Sequence, residues 1–107
     1  MQTSLAAPAV SALPLVAADG EIPKRVFGKT GERLTIIGQA GGRFPLCSFE
    51  EAVAITRRAY DLGINYFDNA HSYWNGKSEE VYGAALSSPM RKKVFVTSKT
   101  TVRDSAM

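Results

Sequence analysis

From Lys24 onward, short apolar runs alternate with amphipathic stretches. Arg25-Val26-Phe27 and Arg33-Leu34-Thr35 flank Gly28-Lys29-Thr30-Gly31, a Gly-containing turn between extended runs that predicts a hairpin. The second arm continues into an apolar strand, Leu34 to Gly38, followed by a loop with Gly41, Gly42 and Pro45. Ser48 and Glu51 have the S-x-x-E spacing of a capping box, which opens a helix. Phe49, Ala52, Val53, Ala59 and Tyr60 recur at three and four and share one face of it. Gly63 suits a left-handed helix stop. Ile64 to Phe67 reads as the next strand, ending at Asp68. Ser78 is the N-cap expected for a second helix, with Glu79 and Glu80 favouring its dipole. Val81, Tyr82, Ala85 and Leu86 form its apolar face, and Pro89 is expected to end it. Val94 to Ser98 is a third strand, ending at Lys99.

The strands begin near residues 34, 64 and 94, about thirty apart, the repeat of βαβ units with parallel strands. Right-handed crossovers put both helices on one side of the sheet. That is how a (β/α)8 barrel begins, and a full barrel needs eight units and about 250 residues. With 107 residues, the expectation is an α/β chain holding the N-terminal portion of such a barrel, a hairpin plus about three βα units, truncated. One sheet face would then lack helices, and the last strand would offer an open edge. The chain alone is expected to be marginal or to self-associate.

Composition adds limits. With 45% hydrophobic and 21% charged residues the chain is globular in type. No apolar run approaches the roughly 18 residues of a membrane span. The net charge of +3 is scattered, so neither nucleic acid nor membrane is expected as a partner. Cys47 is the single cysteine, which excludes an internal disulfide and any multi-cysteine metal site; no metal is expected. Residues 1–23 are rich in Ala, Ser and Pro, with no Lys or Arg before Lys24. They read as a flexible extension or as part of an export signal lacking its basic start. Residues 24–107 are the folded part. A cytoplasmic location is the favoured reading, with export the alternative if the first segment belongs to a signal.

The chemistry gathers in INYFDNAHSYWNGKSEE, residues 64–80. Asp68 and Lys99 end neighbouring strands at the carboxyl rim, where βα barrels bind ligands. Strands about 4.8 Å apart allow the two to pair. Tyr73 lies in the loop over the same rim. A tyrosine is a weak acid at neutral pH. A nearby ammonium favours the phenolate, and a carboxylate keeps that ammonium charged and aimed. Such a trio suits protonating a carbonyl oxygen while hydride arrives from a nicotinamide cofactor, because no side chain can supply hydride.

These blocks resemble the aldo-keto reductases: Gly63-Ile64-Asn65-Tyr66-Phe67-Asp68-Asn69-Ala70 through Tyr73, Asn75-Gly76-Lys77-Ser78-Glu79-Glu80, and Val94-Phe95-Val96-Thr97-Ser98-Lys99. Arg25 to Gly31 matches the family's N-terminal hairpin, so the resemblance covers residues 24–101. It implies a (β/α)8 barrel that reduces aldehydes or ketones with NADP(H). It makes Tyr73 the general acid, Lys99 its pKa depressor and Asp68 the partner of the lysine. Gly42, Arg43 and Asp68 correspond to positions that approach the nicotinamide half of the cofactor, and Trp74 and His71 would line the substrate pocket. The family's fourth catalytic residue is a histidine after the following strand, and His71 does not correspond to it. Asn69 departs from the family, which commonly has Thr there. Two alternatives stand beside the enzyme: a non-catalytic interaction or regulatory module, and a truncated product with no function of its own.

Overall fold

A computed structural model describes residues 20–103. Most of the proposed extension, 1–23, and the end of the tail lie outside the described residues.

The hairpin pairs β1 (Lys24–Val26) with β2 (Arg33–Thr35) antiparallel, Arg25 facing Leu34. A second sheet holds β3 (Gln39–Ala40), β4 (Tyr66–Asp68) and β5 (Phe95–Thr97), all parallel and ordered as in the chain. Consecutive neighbours in chain order, with no reversal, are what an opening barrel arc has. No closed barrel forms among the described residues.

The first barrel strand is displaced from the expected Leu34–Gly38. Leu34 and Thr35 belong to the hairpin, Ile36 and Ile37 are exposed, and the strand proper is Gln39–Ala40. Thr35 causes the break. Its N–H donates to Asn65 Oδ1 at 2.8 Å and its hydroxyl to Ile37 O at 2.6 Å. A hydroxyl bonding two residues ahead competes with strand pairing and turns the backbone. Gly38 then passes Tyr66 so closely that a Cβ would sit 2.6 Å from the ring.

Helix α1 (Phe49–Asp61) forms as its ends dictate. Ser48 Oγ accepts from Glu51 N–H at 3.1 Å, and Ser48 N–H donates to Glu51 Oε1 at 2.9 Å. At the other end Gly63 has φ 103° and donates to Tyr60 O, while Ile64 N–H donates to Ala59 O. These paired bonds form a Schellman stop. Ala52, Thr56 and Ala59 are buried, with Phe49, Val53 and Tyr60 against the same core.

Helix α2 (Lys77–Ala85) contributes Val81, Tyr82 and Ala85 to that core, and Leu86 joins just beyond its end. The two helices and the sheet meet at Phe67, which has no exposed surface and stands edge-on to Tyr82 at 5.8 Å. The side chains beside Phe67 in β4, Tyr66 and Asp68, alternate to the opposite face. There Tyr66 and Phe27 both lie against Phe95, at 6.3 and 5.5 Å. So the hairpin covers part of the helix-free face and leaves a cleft of about 480 Å³ bounded by Arg25, Phe27, Leu34 and Tyr66.

Pro89 does not end α2. That helix stops at Ala85, and Pro89 sits in the first turn of a short helix, α3 (Ser88–Arg91). A proline there loses no helix bond, because the first-turn N–H groups have no partner in any case.

Candidate functional site

The site builds outward from the carboxyl ends of β4 and β5. Register pairs Asp68 with Thr97, so the next residue outward on the side of Asp68, two beyond the end of β5, is Lys99. Lys99 Nζ lies 2.9 Å from both Asp68 oxygens and 2.7 Å from the carbonyl of Asn69. Thr97 Oγ1 donates to Asp68 Oδ1 at 2.7 Å. The Lys99 bond, and after it the Thr97 bond, hold the Asp68 carboxyl below the usual carboxylate range. In return the bond to Asp68 raises the Lys99 ammonium above its ordinary value. Both side chains stay partly open to solvent, 31% and 49%, so water screens the pair.

Lys99 Nζ also lies 5.1 Å from the centre of the Tyr73 ring. Asp68, Tyr73 and Lys99 therefore meet, as the spacing predicts. Gly42 lies beside them. Its Cα borders the Tyr73 ring, which a Cβ would meet at 3.5 Å. The loop reaches this place because Gly41 N–H donates to Asp68 O at 2.9 Å. Arg43 follows, exposed, just before Phe44 turns back into the core.

The His71 and Trp74 side chains have other partners than the trio. The His71 ring pairs with Glu79 at 3.1 Å, while the His71 backbone N–H donates to Lys99 O at 2.9 Å. Trp74 lies 6.5 Å from the Phe49 ring, with Lys77 Nζ over its face at 5.4 Å. Its backbone is strained: Trp74 and Asn75 have φ of 54° and 53°, followed by Gly76 at 91°. Three left-handed residues in succession, one of them bulky, mark a segment whose shape its surroundings impose.

Beneath the rim lies a buried polar layer that spacing did not reveal. Ser78 is not the N-cap of α2. Gly76 holds that position without a side-chain bond, and the Ser78 hydroxyl turns inward to donate to Asn69 Oδ1 at 2.7 Å. Tyr82 Oη lies 3.1 Å from the carbonyls of both Gln39 and Asp68, joining β3 to β4. Burial, then the Asp68 charge and then Tyr73, push the Tyr82 phenol far above its usual value, so it stays a proton-bearing donor. Ser78 lies within the blocks that resemble a known family, yet a serine followed by Glu79 and Glu80 reads as a cap; only the fold shows the hydroxyl used elsewhere. Among the described residues no cluster of metal-ligating side chains occurs, and no helix is long and apolar enough to cross a membrane.

Comparison with known proteins points one way. The profile of the Aldo/keto reductase family matches residues 38–107. Aldo-keto reductase dtxS3 of Metarhizium robertsii is 45% identical over 51 residues, which are 45% of this chain and 14% of that protein. Pyridoxal 4-dehydrogenase of Microbacterium luteolum is 33% identical over 78 residues, 69% of this chain and 23% of that one. Among solved structures, the holo form of aldo-keto reductase AKR11C1 from Bacillus halodurans superposes with a TM-score of 0.66 at 25% identity. That match covers 73% of this chain and 26% of the solved one. The chain thus spans about a quarter or less of the length of these relatives.

Proposed function

The chain belongs to the aldo-keto reductase family, and we propose that it forms the acid side of a site reducing aldehydes and ketones to alcohols with NADP(H). The observation that carries this is the position of Lys99 Nζ, held by both oxygens of Asp68 and set beside the Tyr73 ring at the strand ends. Tyr73 Oη donates its proton to the carbonyl oxygen of the substrate. The phenolate left behind is stabilised by the Lys99 ammonium, which Asp68 keeps charged and in place.

The nicotinamide, when bound, supplies hydride to the carbonyl carbon. The residues present fit it. Gly42, Arg43 and Asp68 would border its nicotinamide half. The absence of a side chain at Gly42 keeps one side of the Tyr73 ring uncovered, and the exposed Arg43 offers a cation for the cofactor's anionic groups. His71 and Trp74 are proposed to shape the mouth on the other side, contacting a small carbonyl substrate.

The test uses the natural full-length polypeptide, captured with an antibody against residues 64–83 and identified by its mass. It should oxidise NADPH with aromatic aldehydes, and Tyr73→Phe should lower kcat/KM by roughly 10²–10⁴, the usual worth of a positioned acid. Undiminished activity in Tyr73→Phe would overturn the reading. Residues 1–107 alone are expected to give no turnover, because the family's histidine after the following strand has no counterpart here; clear oxidation by this piece, abolished by Tyr73→Phe, would show otherwise. The exposed Val26, Phe27, Ile36 and Ile37 beside the cleft favour self-association of the piece, which sedimentation would show.

A further inference from the structure

Ser78 lies in the first turn of α2, where a serine ordinarily faces solvent or caps the helix. Here it has no exposed surface, and Asn69, which accepts its hydrogen bond, is 3% exposed. Gly41 completes the knot. The Ser78 oxygen lies 3.5 Å from Gly41 O, and any Cβ at position 41 would fall on that oxygen. The space for the hydroxyl is therefore made by the missing side chain of Gly41.

What the knot holds is the Asn69 side chain. The Asn69 N–H donates to Thr97 O at 2.9 Å, and its carbonyl accepts from Lys99 Nζ at 2.7 Å. An ammonium has three hydrogens. Lys99 has three oxygens within 2.9 Å, two on the Asp68 carboxylate and one on Asn69. Thr97 ties the carboxylate at Oδ1. The carbonyl is tied through its residue, because Ser78 anchors the Asn69 side chain and Thr97 O accepts from the Asn69 N–H on the other side of the same Cα. On a flexible four-carbon stem, these anchored acceptors together decide where the ammonium stands.

We propose that Ser78 is a positioning residue for Lys99, acting through Asn69, with Gly41 providing the room it needs. The proposal rests on the reading of Lys99 as the cation beside the Tyr73 acid. Ser78 touches neither Lys99 nor any reacting atom; it sets the third acceptor that keeps Nζ over the Tyr73 ring.

The test follows Lys99 by nuclear magnetic resonance in the isotopically labelled full-length polypeptide, without cofactor or turnover. In Ser78→Ala the Lys99 titration should move down in pH, because the Asn69 carbonyl that accepts from the charged form is no longer anchored in place. Gly41→Ala, which displaces the hydroxyl from the other side, should move it the same way. Ser78→Thr, keeping the hydroxyl, should restore it. A purely structural serine predicts a lower Tm with Lys99 titrating as in the wild type, and that result in either folded variant overturns the proposal. So does a wild-type protein lacking a hydrogen-bond coupling between Lys99 Nζ and the Asn69 carbonyl carbon, a measurement that needs no variant. Because the readout involves no catalysis, an unaffected Lys99 would sink this role while leaving the reductase reading intact. An inactive enzyme with a Ser78-dependent Lys99 would do the reverse.

Discussion

The two long helices begin in opposite ways. Helix α1 starts from a complete capping box, with Ser48 and Glu51 satisfying each other's backbone donors. Helix α2 starts from three left-handed residues, and its nearest serine gives its hydroxyl to Asn69 instead of to the helix. At the start of α1, local rules decide the structure. Beside Asp68 and Lys99, the same residue types serve the site, and the start of α2 goes without a side-chain cap. Proteins are expected to break local rules where function demands it and to support the breach from neighbouring structure. Here the support is Phe67, on which both helices rest, together with the Trp74 contacts to Phe49 and Lys77.

The harshest way to break this contrast is to remove the shared support. Phe67→Ala empties the point where α1, α2 and the sheet meet, and should destabilise by about 3–5 kcal/mol. Denaturant unfolding, followed by amide exchange in both helices, should show the two ends losing protection together. If α2 alone loosens, the helices do not share one core. Next in size is the capping box itself. Ser48→Ala should cost about 1 kcal/mol, with faster exchange confined to the first turn of α1. The rim should not respond, and Lys99 should keep its resonances. A change at Lys99 on losing Ser48 would show that the two helix ends are not independent.

The same division explains which features were legible beforehand. The α1 boundaries, Gly63 as a stop, the hairpin and the alternation of strand and helix follow from local chemistry, so spacing alone predicts them. The joining of Asp68, Tyr73 and Lys99 is also readable, because parallel strands bring equivalent ends together. Three features resist. The first barrel strand shifts to Gln39–Ala40 because the Thr35 hydroxyl bonds Ile37 O and its amide reaches Asn65, a partner thirty positions away. Ser78 fits the pattern of a cap, and only the approach of Asn69 and Gly41 in space redirects it. Pro89 opens a helix because α2 had already ended at Ala85. The first two depend on long-range neighbours that no window of sequence contains.

A gentler probe sharpens the contrast at the strained turn. Asn75 holds φ 53° immediately after Trp74 at 54°. Glycine adopts that region without the Cβ penalty, so Asn75→Gly should stabilise the turn, by about 0.5 kcal/mol after the extra unfolded-state entropy of glycine is offset. The gain should appear in Tm and as slower exchange at the start of α2. A destabilised variant would mean that the Asn75 side chain, rather than the packing around Trp74, imposes the turn.

The smallest effect is electrostatic, and its sign follows from the Lys99–Asp68 pair. The Asp68 carboxyl is held below its ordinary value, chiefly by the bond from Lys99 and then by that from Thr97. Its contribution to stability is therefore full above the unfolded carboxylate range, near 3.9, and is lost as the pH falls through the lower folded value. Lys99 is held above its ordinary value, so its contribution is full below the unfolded lysine range, near 10.4, and is lost as the pH rises through the higher folded value. Between those limits the pair contributes a constant amount, and water reaching both side chains keeps that amount small. Asp68→Asn should thus lower stability slightly at neutral pH and flatten the acid side of the stability profile measured by denaturant. Thr97→Val should flatten it less, since it removes the second of the two bonds and leaves the first. If Thr97→Val flattened it more, the strand-end hydroxyl and not the ammonium would be the main partner of Asp68, and the part of the rim that tunes the site would lie within β5 rather than beyond its end.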